Sequence, residues 1–115
     1  KAERIQDKVA GVGFDWDNRS QVLDKVKEEI AELEEAVANK KSDSMEDEMG
    51  DVFFSLINYS RYINVNAEAA LERTNKKFIR RFQAMEEMTR QENTQLSDMN
   101  LKEMDKLWER SKNEE

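Results

Sequence analysis

The sequence contains no cysteine, so neither disulfides nor thiolate metal ligation can contribute to it. It contains no histidine, which removes the commonest transition-metal ligand and the side chain best suited to proton transfer near neutral pH. Proline is absent and glycine occurs three times, too little punctuation for the tight turns of an all-β chain. Long apolar runs are also missing. The longest, Val52 to Ile57, is interrupted by Ser55 and falls far short of the about 20 residues that span a bilayer. Charged residues make up 39% and hydrophobic residues 37%, against about 25% and about 45–50% in typical soluble domains. Any core must therefore be narrow and sheathed in charge, which excludes a sandwich or barrel and leaves a predominantly helical chain. Its chemistry has to come from carboxylates, amines, hydroxyls and amides.

The length of 115 residues suits a single domain, residues 1–115, with no linker to divide it. Twenty-six acidic and nineteen basic residues give a net charge of −7, so nucleic acid and anionic membranes are not the expected partners. Composition alone suggests a cytoplasmic location. The first residue is Lys1 rather than methionine, as expected of a piece of a longer chain.

Apolar spacing predicts the helices. A first, short one covers about Ala2 to Val12 through Ile5, Val9 and Val12, and weakens at Gly11 and Gly13. After a loop at Phe14-Asp15-Trp16-Asp17-Asn18, a second begins near Ser20 as cap, with Val22, Val26, Ile30, Leu33 and Val37 as its buried stripe. The polar run Asn39–Asp43 turns the chain into a helical hairpin. The third helix is expected from about Ser44 to Ile63, with Met45, Met49, Val52, Phe53, Leu56, Ser60 and Ile63 on one side. Asp51, Phe54, Ser55, Asn58 and Tyr62 gather on another, so this helix uses two faces and sits centrally or against a second subunit. A fourth helix runs from an Asn66 cap to about Arg90, facing Ala70, Leu71, Thr74, Phe78, Phe82, Met85 and Thr89 inward. A last one starts at Asn100, where Glu103 completes a capping box ahead of Leu101, Met104, Leu107 and Trp108. Gln91–Met99 is expected to be a flexible loop. The expected fold is an all-α bundle of four to five helices.

Between Glu28 and Asp51 stand ten acids and two lysines. Glu28, Glu29 and Glu32 read E-E-x-x-E, and Glu48 and Asp51 read E-x-x-D. Residues three apart on a helix share a face, so Glu29/Glu32 and Glu48/Asp51 form two carboxylate pairs. If the hairpin is antiparallel, both pairs can enter one cleft, where four carboxylates would repel unless a cation sat among them. Oxygen-only ligation suits magnesium or manganese. A solvated acidic face is the alternative, but Glu29 lies about 60° and Glu48 about 80° from the centres of their apolar stripes, at the border of the core. No D-x-D-x-D-G ladder surrounds Gly50, and the missing histidine excludes E-x-x-H di-iron ligation.

From Arg73 to Met85 the sign reverses, with Arg73, Lys76, Lys77, Arg80 and Arg81 and no acid among them. Lys77 and Arg81 are four apart and share a face beside Phe78 and Phe82. They can hold a phosphate chain whose other end is held by metal, or they can pair with acids and snorkel to water. Acids for metal and bases for phosphate together point to a magnesium–polyphosphate substrate.

These blocks carry a family resemblance. Lys25-Val-Lys-Glu28-Glu29-Ile-Ala-Glu32-Leu, Glu46-Asp-Glu48-Met-Gly-Asp51-Val-Phe-Phe-Ser-Leu-Ile-Asn58 and Asn75-Lys-Lys77-Phe-Ile-Arg80-Arg81-Phe82 together resemble MazG, over nearly the whole chain from Gly13-Phe14-Asp15-Trp16 onward. The resemblance implies an all-α homodimer that hydrolyses nucleoside triphosphates, ribo or deoxy, to the monophosphate and pyrophosphate. It implies Glu29, Glu32, Glu48 and Asp51 as magnesium ligands, through which they act in catalysis, and Lys25, Lys77 and Arg81 as phosphate contacts. It also implies nucleotide contacts from Trp108 and Lys112, which by pattern alone read as a core anchor and a solvent charge. Asn58, two turns after Asp51 on the same face, is a ligand contact or a buried, satisfied amide. Glu28 points about 100° away from Glu29 and is at most a residue that supports the ligands from behind, or a base. Such proteins often carry two related domains in tandem, and this chain matches one, closest to the C-terminal catalytic half. Two rivals stand beside this reading: a non-catalytic acidic module that docks a basic partner and dimerises through the third helix, and a narrower pyrophosphatase of the same all-α group that favours one deoxynucleotide.

Overall fold

The computed structural model describes Lys1–Asp15 and Asn18–Glu114; Trp16 and Asp17, within the expected loop, lie outside the described residues. Five α-helices account for most of the described chain, with no strand among the described residues, so the chain is all-α as expected. They are α1 (Ala2–Ala10), α2 (Arg19–Ala38), α3 (Ser42–Tyr62), α4 (Ala67–Gln91) and α5 (Leu101–Asn113), with one 3₁₀ turn at Leu96–Asp98. The chain divides into two compact units, Lys1–Ala67 and Glu68–Glu115.

In the first unit α2 and α3 form a helical hairpin on which α1 packs. α2 begins earlier than expected because Asn18, not Ser20, is its cap: Asn18 is extended and its side-chain oxygen accepts from the Gln21 N–H at 3.0 Å, which leaves Ser20 inside the first turn. The hairpin turns at Asn39–Lys41, within the Asn39–Asp43 run expected to turn it, and α3 starts at Ser42, two residues before the expected Ser44; Lys40 takes a left-handed φ of 55°. α1 ends at Ala10, and Gly13, at φ 94°, adopts a conformation open mainly to glycine.

The core of this unit is small. Val22, Val26, Ala36 and Val52 are buried, together with Glu29 and Ser55. The stripe expected on α2 is therefore rotated: Glu29 and Ala36 lie on it, while Ile30 and Val37 are 40% and 53% exposed. Met49, Phe53, Leu56 and Ile63, expected inside on α3, are exposed as well. A single neighbouring helix covers only part of a helix's circumference, so a helix with apolar residues on two sides leaves one of them uncovered. α1 is fixed to α3 by polar contacts, with Gln6 Nε2 donating to the Phe54 carbonyl at 2.8 Å and Arg61 Nε donating to Asp7 at 2.7 Å.

In the second unit only the C-terminal half of α4 is packed. Met85 and Met88 meet Leu107 of α5, and Leu96, Met99, Met104 and Trp108 close around them. Leu71, Phe78 and Phe82, expected inside, are 62%, 57% and 42% exposed. The 13 residues of α5 match roughly half of the 25 of α4, which explains the asymmetry. The segment expected to be a flexible loop is anchored by Leu96 and Met99. The capping box of α5 forms as expected, with Asn100 accepting from the Glu103 N–H at 2.9 Å and the Glu103 carboxylate accepting from the Asn100 N–H at 3.3 Å.

Candidate active site

The hairpin register brings the acids together. Glu29 lies ten residues before Asn39 and Asp51 ten after Lys41, while Glu32 and Glu48 lie seven before and seven after the same residues. Antiparallel helices joined by so short a turn set such pairs level with each other. Carboxylate oxygens of Glu29, Glu48 and Asp51 all lie within 4.8 Å of one another. Opposed oxygens around a magnesium ion are ~4.2 Å apart, twice the ligand distance, so a small inward rotation of these side chains would suit one ion.

Burial makes the cluster more than a charged surface. Glu29 is 5% exposed, and Glu29 Oε2 and Glu48 Oε2 are buried without a hydrogen-bond partner among the described residues. Buried acceptors without donors cost about 1–3 kcal/mol each, more when charged, and a hard cation satisfies both at once. The donor set, all carboxylate oxygen, fits magnesium or manganese.

Glu32 is more exposed and lies beside this trio rather than within it. Its carboxyl is raised above its ordinary range, first by the negative charge of Glu29, then by lost hydration and by Glu48. Lys25 places its ammonium 2.8 Å from Glu29 Oε1 and 3.6 Å from Glu28. Its pKa is raised, chiefly by the hydrogen bond to Glu29. Lys25 therefore already serves an acid of the cluster, and Glu28, exposed, meets Lys25 at the edge of the site.

Asn58 does lie near a concavity. Its Oδ1 accepts from Arg61 Nη1 at 2.6 Å, and both residues line a cleft of about 400 Å³ between α1, α3 and the loop after α1. Arg61 also reaches Asp15 at 3.8 Å, and Tyr62 donates its hydroxyl to Asp15. Sequence reasoning missed Gln6, Asp15 and Arg61. Gln6 carried a signal: it lies three residues before Val9 and next to Ile5, at the edge of an apolar stripe.

The remaining candidates belong to the second unit. The Arg81 guanidinium stands 5.5 Å from the centroid of the Trp108 ring, and Phe78 meets the same ring at 5.2 Å, tilted by 45°. Trp108 is thus both an anchor of the local core and the platform under Arg81. Lys77, one turn before Arg81, is exposed. Lys112 lies 3.7 Å from Glu109 on the surface of α5.

Residues 18–85 match the MazG nucleotide pyrophosphohydrolase domain, and the chain belongs to that family. It is 40% identical over 111 residues to the nucleoside triphosphate pyrophosphohydrolase/pyrophosphatase MazG of Thermotoga maritima, covering 96% of this chain and 42% of that protein. It is 37% identical over 119 residues to the nucleoside triphosphate pyrophosphohydrolase of Escherichia coli, covering 100% and 44%. The chain thus spans less than half the length of these relatives. No helix among the described residues is long and apolar enough to cross a membrane.

Proposed function

We propose that residues 1–115 act as one catalytic domain that hydrolyses nucleoside triphosphates to the monophosphate and pyrophosphate in the presence of magnesium. The observation that carries this is the meeting of Glu29, Glu48 and Asp51 oxygens within 4.8 Å across the α2–α3 hairpin, two of the carboxylates holding a buried oxygen with no partner among the described residues. The names of the relatives support the same chemistry.

In this reading Glu29, Glu48 and Asp51 hold the divalent cation, with Glu32 completing or adjusting the set. Such an ion supplies neutralisation of the triphosphate and activation of water when bound. Lys25 orients Glu29 and offers charge to the phosphates, and Glu28 acts only through Lys25. Lys77 and Arg81 carry the charge that builds on the departing pyrophosphate, Arg81 with a planar fork and Lys77 as a point charge. Trp108 and Lys112 are assigned to the nucleotide. A homodimer belongs to the same proposal. It is supported by the exposed Met49, Phe53 and Leu56 of α3, since apolar surface of that kind on a small helical unit favours a partner. A cytoplasmic location follows from the expected substrates.

The test is pyrophosphate release from a panel of ribo- and deoxynucleoside triphosphates, with magnesium and with excess chelator. Release that requires magnesium is the expected result, and the panel distinguishes a broad enzyme from one that favours a single deoxynucleotide. A folded chain that releases none from any member would overturn the reading in favour of the acidic interaction module.

A further inference from the structure

We infer that α1 is a strap, hinged at Gly13 and latched by Arg61, whose opening uncovers the α3 face beyond Asp51 and so sets how readily a nucleotide leaves the acidic cluster; the second half of this rests on the pyrophosphohydrolase reading above. Little apolar burial holds α1 down, since its Ile5 and Val9 are 45% and 37% exposed and Gln6 is the residue of this helix that is buried. A helix of 9 residues is too short to persist alone in water, so α1 keeps its form only while it lies on α3. What fastens it is charge. The Arg61 side chain, 14% exposed near the end of α3, donates to Asp7 of α1 at 2.7 Å and reaches Asp15 of the following loop at 3.8 Å. Tyr62 adds the bond from its hydroxyl to Asp15.

One group works against the latch. Gln6 Nε2 donates to the Phe54 carbonyl at 2.8 Å, and the other end of the same amide, Oε1, is buried with no partner among the described residues. Closing the strap therefore strips water from an amide oxygen and returns nothing to it, whereas opening hydrates it again. A polar latch set against a stranded acceptor makes α1 easier to open than the hairpin beneath it. Its place on α3 decides what opening exposes. Phe54 and Asn58, one and two turns after Asp51, line the cleft under α1, and Asn58 returns to the Asp51 face ~10 Å along the axis. A molecule held at the acids thus lies beside the strap and is freer to leave when it opens.

The experiment is amide hydrogen exchange of the full chain, read by NMR for residues 6–10 of α1 and, as a reference, residues 26–36 of α2. Asp7→Ala removes the latch partner at a side chain 63% exposed and should speed exchange of α1 about five-fold. Gln6→Met keeps the shape of its side chain without the stranded oxygen and should slow exchange of α1 about three-fold. The reference amides should stay within about two-fold in both variants. The opposite signs carry the test: if Gln6→Met also speeds exchange of α1, or if neither variant moves it, the strap is overturned. Should Gln6→Met not fold, raising sodium chloride from about 20 mM to about 500 mM replaces it, because screening of the latch should loosen α1 about three-fold in the parent and less in Asp7→Ala. An equal response in the two would overturn the latch. Dissociation of a non-hydrolysable triphosphate analogue with magnesium, followed by stopped flow, should be about three-fold faster in Asp7→Ala and about three-fold slower in Gln6→Met. Exchange that shifts in this way while dissociation does not would overturn the gating role. The same shifts in a chain that releases no pyrophosphate from any nucleotide would sink the hydrolase reading and leave the strap standing.

Discussion

The acidic cluster of the α2–α3 hairpin and the basic band of α4 were both predicted from residues three or four apart on a helix, yet the two regions fold into different electrostatic situations. Glu29 and Glu48 each hold one buried oxygen with no donor among the described residues, so the hairpin holds like charges at a cost that a bound cation would relieve. Lys77 is exposed and Arg81 lies over Trp108, so neither cation is starved of hydration or partners. A ligand that fills the first region should therefore change stability. A ligand that meets the second should change affinity and leave the fold much as it was.

The sharpest way to break this contrast is Glu48→Gln. It should lower magnesium-dependent pyrophosphate release at least about 100-fold. It should also abolish stabilisation by magnesium, which in the parent reaches about 2.7 kcal/mol at a hundred times the dissociation constant. Because the substitution relieves repulsion with Glu29 and Asp51, the metal-free variant should melt no lower than the metal-free parent. A variant that keeps its magnesium-induced shift in thermal melts would show that the ion is held elsewhere. Arg81→Ala probes the other side and should have a smaller effect: KM for nucleotide rises about ten-fold, while the magnesium-induced shift is retained. It should also cost roughly 0.5–1 kcal/mol of stability through the lost contact with the Trp108 ring, readable in denaturant melts. If magnesium stabilisation vanished with Arg81, the separation of the two roles would be wrong.

Much of the hairpin could be read in the sequence because its turn is short. Once Asn39–Asp43 is recognised as polar and turn-forming, an antiparallel hairpin follows, and the observed turn at Asn39–Lys41 sets Glu29 level with Asp51 and Glu32 level with Glu48 with no distant contact needed. The extent of burial was not readable. Glu29 was expected at the border of its stripe and lies on it, because small Val22, Val26 and Ala36 let α3 approach the face that Ile30 and Val37 were expected to occupy. Helical periodicity finds apolar faces, but it does not say which are covered, and so Phe78 and Phe82 were misjudged. The cleft beside α1 was missed for another reason. It depends on Gln6, Asp15, Phe54 and Arg61, whose meeting requires α1 to fold back on α3 across nearly fifty residues of chain, as in the Gln6–Phe54 bond. Spacing rules for a single helix carry no information at that range.

Gly50 offers the finest test of what limits the hairpin. It sits in the interior of α3 between Met49 and Asp51, where glycine is about 1 kcal/mol less favourable than alanine. A Cβ placed on it meets no atom within 4 Å, so nothing packed against it in this chain requires the missing side chain. Gly50→Ala should therefore raise stability by about 1 kcal/mol with and without magnesium, equivalent to about 4 °C or more in Tm for a chain of this size. Its backbone effect should add to that of Glu48→Gln, since one acts on helix propensity and the other on charge. Additive gains in the double variant would mean that repulsion among the acids, and not the flexibility of the helix that carries them, is what the ion relieves. A strongly sub-additive result would mean that Gly50 lets the carboxylates spread apart in the metal-free chain, and that the helix itself bends to accommodate their charge.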